Sequence, residues 1–355
     1  MGRFRSAYSG YRGRKTLNEI LKWIAALLGV LVLLVLLGLM LGQDYIVFTD
    51  RGPRLELPFF RPAEGTSELD GNVNVVVEQD GQGGTNSAAP VMAALELPVE
   101  AVLSGEVTEL LAQAEANALI LEMKSPQGTL GWVAQSSLAA RAEVNAQTQG
   151  INSALLEWNQ GEVYTIARVT CFRDNTMPYN FNDMALRASY GNWRDELGLR
   201  WLNPDSQTAR DYLIGLCAEL AELGFDEILL DCYGFPYEGN LESIVQGASY
   251  QTGAFTQTVE EFLDEIRQEI QPHETVLSLR VDRAMLGGET ALGGVTAAGL
   301  ERLADRIWML GDGAQPALPD LLAEAGISKG GERLVILGAA LDAQGEISRA
   351  VLEES

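Results

Sequence analysis

The chain has 355 residues, 47% of them hydrophobic, and a formal net charge of −24. That length suits one large domain or two small ones, and an acidic excess repels phosphate backbones, which argues against nucleic acid as a partner. Three cysteines are too few for a disulfide scaffold, and His273 is the single histidine, so no zinc spacing exists, no metal or cofactor is expected, and a Ser-His-Asp triad has one candidate base.

The charge is uneven along the chain. Residues 1–22 hold six cations (Arg3, Arg5, Arg12, Arg14, Lys15 and Lys22) against Glu19 alone, and read as a basic cytoplasmic tail. Residues 23–42 read as a transmembrane anchor. The run Trp23–Leu41 is 19 residues without a charge, close to the roughly 20 that a bilayer core requires. Cations ahead of it predict a cytoplasmic N-terminus and a single-pass protein of the cell membrane whose C-terminal part is extracytoplasmic. A cleaved signal peptide is the rival. Its apolar region spans about 7–15 residues and ends in small residues, whereas Met40 stands where a small residue is wanted. Residues 43–90 read as a stalk, with "YIVF" and "VNVVVEQ" as short strands and "DGQGGTNSAAP" as flexible linker.

From residue 91 to 355 short apolar runs alternate with helical stretches, the pattern of repeated β-α units around a parallel sheet. Seven strands are readable: "VMAALEL", "ALILEMK", "VYTIARVT", "EILLDCY", "TVLSLRV", "RIWML" and "RLVILGAA". Helices are expected over Ser104–Ala116, Thr148–Trp158, Ser206–Leu223, Thr256–Ile270, Thr296–Ala304 and Pro319–Ala325. Ser206 suits an N-cap and Gly224 a C-cap. The size and order fit an α/β TIM-barrel-like (β/α)8 fold. The eighth strand is either the weak "GEISRAV", or a segment of the stalk, or missing. An open doubly wound sheet is the alternative, though no Gly-rich phosphate turn follows the first strand.

Strands covered on both faces read as unbroken apolar runs, yet four are interrupted by a charge. Glu122, Arg168, Asp231 and Arg280 alternate acid, base, acid, base on successive strands. Buried charges need partners. The simplest arrangement flanks Arg168 with Glu122 and Asp231 and sets Arg280 beyond Asp231. Such a ring either braces the barrel or forms its site, because barrel sites lie at the C-terminal strand ends. Lys124, Asp174, Asp282 and Asp312 follow their strands toward the same mouth. Trp132, Trp193, Trp201, Tyr233 and Phe235 serve as core or lid packing, or as stacking surfaces for sugar rings. Cys171 and Cys232 close adjacent strands, as a disulfide or as two buried thiols, and Cys217 faces the core from a helix.

Four segments carry a resemblance to a known group: "NALILEMKSPQG", "VYTIARVTCFRD", "GNWRDELGLRWLNPDSQTARDYL" and "LGFDEILLDCYGFP". They resemble the family described as putative glycosyl hydrolase domain, made up of glycoside-hydrolase-like TIM-barrel domains in bacterial membrane-anchored or secreted proteins. The likeness covers roughly Val91 to Met309. It places Glu122, Lys124, Arg168, Asp174, Trp193, Arg194, Asp195, Trp201, Asn203 and Asp231 at the family's polar positions. Three departures stand out: Gly234 replaces the arginine expected before Phe-Pro, Glu122 replaces an Asp, and Ser125 replaces an acid.

The resemblance implies a membrane-anchored barrel acting on or binding envelope or environmental glycans. Its alternative is an inactive barrel that binds a glycan or a protein at the cell surface. In the active version Asp231 is the central carboxylate, with Glu122 or Asp282 as the second. Carboxyl groups about 5–5.5 Å apart imply retention and about 6.5–9.5 Å inversion. Lys124, Arg168, Asp174, Trp193, Arg194, Trp201, Asn203, Tyr233 and Arg280 are the expected substrate-binding residues.

Overall fold

A computed structural model describes residues 46–49, 52–55, 91–245, 250–286, 292–314, 316–338, 340–341 and 347–352. The chain divides into two compact units, residues 1–83 and 84–355. In the first, Ile46–Thr49 pairs antiparallel with Gly52–Leu55. The expected anchor at 23–42, the basic tail and the strand "VNVVVEQ" lie outside the described residues. Among the described residues no helix is long and apolar enough to cross a membrane.

The second unit is a closed barrel of eight parallel strands, each hydrogen-bonded to its neighbours in chain order. They are β1 (Ala93–Leu97), β2 (Ala118–Lys124), β3 (Tyr164–Thr170), β4 (Glu227–Asp231), β5 (Val276–Arg280), β6 (Arg306–Leu310), β7 (Leu334–Leu337) and β8 (Ser348–Val351). All seven readable strands are present. The eighth falls within the weak "GEISRAV", so the barrel is complete, and its closure excludes the open sheet. Closure runs through Arg349 and Ala350 of β8, which pair with Ala93 and Ala94 of β1. In β8 only Ala350 is buried, so the segment lacks the apolar run that announces the others, and backbone pairing recruits it instead.

Helices cover the outside. The principal ones are α1 (Val107–Gln113), α2 (Ile151–Asn159), α3 (Gln207–Glu222), α4 (Phe255–Ile270), α5 (Ala297–Leu303) and α6 (Leu318–Glu324). The helix expected over Ser104–Ala116 is instead two pieces, Ala101–Ser104 and α1, split at Gly105, whose φ of 74° is left-handed. In α3 the buried positions Ala209, Leu213, Leu216, Cys217 and Leu220 recur at helical spacing, and the Ser206 hydroxyl accepts the Ala209 N–H as the N-cap. α4 buries Val259, Phe262, Leu263, Ile266 and Ile270 in the same way. Each such fully buried side chain contributes about 1.5–3 kcal/mol.

Strand alternation sends one set of side chains under these helices and the other into the barrel. The interior set is layered. At the N-terminal end, buried Glu227 accepts hydrogen bonds from Tyr164 Oη (3.0 Å), Ser278 Oγ (2.5 Å) and Trp308 Nε1 (3.0 Å), and from Arg306. The middle layer is apolar, with Ala94, Ile120, Ile166, Leu229, Trp308, Val335 and Ala350 all buried. Two residues further along the strands come Glu96, Glu122, Arg168, Asp231 and Arg280. The charges therefore occupy the C-terminal layer, above a dry plug.

Candidate functional site

The charged layer is two clusters. Arg168 lies between Glu96 of β1 (Nε–Oε1 2.7 Å) and Glu122 of β2 (2.6 Å). Arg280 of β5 pairs with Asp231 of β4 at 2.8 Å. The expected arrangement, in which Asp231 flanks Arg168, is therefore replaced by Glu96, an acid that the sequence reading passed over. Register explains the exchange. Glu122 stands beside Arg168, whereas Asp231 is level with Thr170, two residues higher on β3. Leu230 pairs with Leu279, so the next residues, Asp231 and Arg280, meet at one height. The available signal for Glu96 was its alternation with Ala94, which turns both inward.

Asp231 is held at both oxygens. Oδ2 accepts from Arg280 and Oδ1 accepts the Cys232 N–H at 2.8 Å. Cys232 has a φ of 48°, left-handed for a residue with a side chain, a local strain of about 1–2 kcal/mol. The chain turns there, and the aromatics after it fold inward. Phe235, 1% exposed, stacks on Phe255 with centroids 3.6 Å apart. It packs against the start of α4. Gly234 is required by contact: a Cβ there would lie 2.0 Å from the Gly293 carbonyl oxygen, which also accepts the Phe235 N–H. The place where the family pattern has an arginine is thus closed by backbone.

Asp231 opens onto a cavity of about 370 Å³ at the barrel mouth, within the ~300–1,000 Å³ usual for small-molecule sites. Asp282, just past β5, lines the same cavity and accepts the Tyr237 hydroxyl. Trp193 and Trp201, 0% and 9% exposed, are also among the lining residues, edge to face with centroids 6.2 Å apart. Trp193 donates to the Asn240 carbonyl at 2.9 Å and Trp201 to Asp195 at 3.2 Å, while Arg173 pairs with Asp195 at 2.7 Å. Tyr233 is 3% exposed, and its hydroxyl has no hydrogen-bond partner among the described residues. Burial pushes that hydroxyl's pKa well up, and the charges of Tyr237, Asp231 and Asp282 push the same way.

The remaining expected residues fall elsewhere. Glu122 and Arg168 line a second cavity of about 460 Å³ with Glu96 and Glu100, apart from the wall that Asp231 and Asp282 share. Lys124 and Asp174 form an ion pair at 2.9 Å with both side chains 0% exposed. Arg194 is exposed and donates to the Gly198 carbonyl. Asn203 is buried and accepts the Asp205 N–H at 3.1 Å. Asp312 pairs with Arg283 at 2.9 Å. Trp132 is a core residue whose indole donates to Glu219. Cys171, Cys217 and Cys232 are free thiols, so the conceivable Cys171–Cys232 disulfide is not formed. Burial raises all three thiol pKa values. Among the described residues no group of three or more His, Cys, Asp or Glu side chains forms a metal site.

The family model for a putative glycosyl hydrolase domain matches residues 97–289, which contain Glu122, Asp231 and Asp282. No curated protein matches. Among solved structures, the glycoside hydrolase domain of PgaB (BpsB) from Bordetella bronchiseptica is similar with a TM-score of 0.53 at 11% identity, over 74% of this chain and 94% of that one. A hypothetical protein from Ruminiclostridium thermocellum ATCC 27405 is 24% identical over 52% of this chain and 96% of its own, with a TM-score of 0.44.

Proposed function

As a chain that belongs to the putative glycosyl hydrolase domain family, this protein is one that we propose cleaves or grips a glycan in the Asp231–Asp282 cavity, outside the cell and anchored by Trp23–Leu41. One observation carries the reading. Two carboxyl groups from adjacent strand ends, Asp231 and Asp282, line a single open cavity walled by Trp193, Trp201 and Tyr233. Glycoside hydrolysis uses two carboxyls. One gives a proton to the leaving oxygen, and the other attacks the anomeric carbon or activates the water that does. Asp231, hydrogen-bonded to a guanidinium, takes the charged role. Asp282, which no arginine pairs among the described residues, is the second carboxyl. Trp193 is 0% and Trp201 9% exposed, so the two indoles brace the cavity wall rather than offer it open faces. Glu122, tied to Arg168 beside the other cavity, has no part in the reaction. The basic tail of residues 1–22 and the uncharged run after it support a single-pass membrane location.

A second reading has its own observation. Both oxygens of Asp231 already accept hydrogen bonds, and Gly234 leaves no room for the family's arginine. A barrel that binds glycan without cutting it would look the same. Screening the full chain in detergent for binding and hydrolysis of oligosaccharides, beside Asp231→Asn, separates the two. Cleavage that Asp231→Asn abolishes, with folding and binding retained, establishes the enzyme. Binding by both proteins with turnover by neither establishes the binder. Absence of both activities sinks the glycan reading.

A further inference from the structure

Arg173 is a cavity residue with donors to spare. It follows β3, and the Phe172 N–H before it donates to the Cys232 carbonyl at 2.9 Å, so the strand end carrying Arg173 runs beside the one carrying Asp231. Its side chain is 23% exposed and lines the cavity. The guanidinium charge reaches the Cys232 thiol together with those of Asp231 and Arg280, which sets it on Asp231's side of the cavity. Its Nε is engaged by Asp195 Oδ2 at 2.7 Å. The N–H groups of both Nη atoms have no acceptor among the described residues. An arginine presents its donors as a rigid planar fork, so fixing Nε restricts where the others point.

Asp195 is the reverse case, with no acceptor to spare. Oδ2 takes Arg173 Nε at 2.7 Å and Trp201 Nε1 at 3.2 Å, and Oδ1 takes the N–H groups of Leu197 at 3.0 Å and Leu199 at 2.9 Å. A carboxylate accommodates about four donors, so this one is filled from within the chain, and its side chain is 12% exposed. It ties three stretches of the cavity wall together: the end of β3, the turn over 195–199 and Trp201. The turn is closed by the Asp195 N–H on the Leu199 carbonyl and the Gly198 N–H on the Asp195 carbonyl, both at 3.0 Å.

Charge narrows the class of ligand. The lining holds five acids and two arginines. Asp195 offsets Arg173 and Asp231 offsets Arg280, so the arginines supply hydrogen-bond donors without a net positive field. A carboxylate-bearing ligand meets repulsion from the remaining acids. Neighbouring sugar hydroxyls accept from a guanidinium fork without meeting it.

Building on the glycan reading above, we propose that Arg173 is a ligand-contacting residue of this cavity, its Nη groups donating to adjacent hydroxyls of an uncharged oligosaccharide, and that Asp195 is the positioning residue that holds it in place.

Calorimetric titration of the full chain in detergent tests this with three probes of equal length: chitohexaose, cellohexaose and hexagalacturonate. A neutral probe should bind, and hexagalacturonate should bind more weakly. Arg173→Lys keeps a cation for Asp195 but loses the fork; it should weaken the neutral probe about tenfold with a urea midpoint close to that of the parent. Asp195→Asn keeps an oxygen for the turn but loses the partner of Arg173, and should weaken the same probe by a similar factor. Because one residue acts through the other, the double variant should bind no worse than the weaker single variant. Unchanged affinity in Arg173→Lys, or a loss matched by a fallen midpoint, overturns the contact while the glycan reading stands. Losses that multiply in the double variant overturn the positioning role. Tighter binding of hexagalacturonate overturns the uncharged class. Failure of all three probes to bind removes both readings together.

Discussion

Replacing Lys124 by Met tests whether this inward lysine is structural or part of the binding site. The ammonium has three N–H bonds. Two go to the Thr170 carbonyl at 2.7 Å and the Cys171 carbonyl at 3.1 Å, and the Asp174 carboxylate lies 2.9 Å away as an ion pair in a place with 0% exposure, closed to a ligand. Met fills a similar shape without the charge. Asp174 keeps the Thr176 and Met177 N–H bonds on Oδ1 but loses its countercharge in a place with 0% exposure. Breaking a buried pair from one side costs about 3–5 kcal/mol, and each stranded carbonyl costs about 1–3 kcal/mol before relaxation. A total stability of ~5–15 kcal/mol leaves little after that. Lys124→Met should therefore lower the urea midpoint by the equivalent of at least about 3 kcal/mol with an unchanged slope. The double variant Lys124→Met/Asp174→Asn, which removes both charges, should recover part of the loss. A loss below about 1 kcal/mol, or a double variant no better than the single one, refutes the structural account. So would weakened glycan binding at unchanged stability.

Gly234→Ala sets a Cβ 2.0 Å from a backbone oxygen that no rotamer change can move. It should cost about 1–3 kcal/mol and lower the thermal midpoint; an unchanged midpoint would show that the loop around Gly293 does not rest there. Burial pushes the Cys217 thiol up to about 12 from its ordinary 9.0. The folded thiol stays protonated while the unfolded one ionises above 9.0, so stability falls as pH rises from there toward 12. The loss at pH 10 is roughly 1.4 kcal/mol, and Cys217→Ala should remove it. Parallel pH–stability curves for the two proteins would contradict this.

How much of the molecule could be read beforehand differs residue by residue. The apolar runs from "ALILEMK" to "RLVILGAA" announce their strands because each is buried on both faces, and that burial is written in composition. Asp231 and Asp282 are readable as mouth residues for a related reason, since an acid ending an apolar strand has few other places to go. β8 is readable only as one of three alternatives, because all its residues but Ala350 are half-exposed and it is held mainly by backbone pairing to β7 and β1.

Periodicity and composition thus determined that the chain builds repeated β-α units around a parallel sheet and delivers carboxylates to the C-terminal ends of its strands. Which acid meets which arginine was decided only by tertiary structure. Strand spacing says that Asp231 and Arg168 point inward, but the stagger around the closed barrel sets Asp231 level with Thr170 and hands Arg168 to Glu96. The same holds for Glu227, which becomes the hydrogen-bonded base of the plug, and for Lys124, which reads as a site residue and becomes a sealed pair with Asp174. Facing direction follows from a two-residue period that any segment carries by itself. Height and burial follow from the closure of eight strands at once, and no single segment contains them.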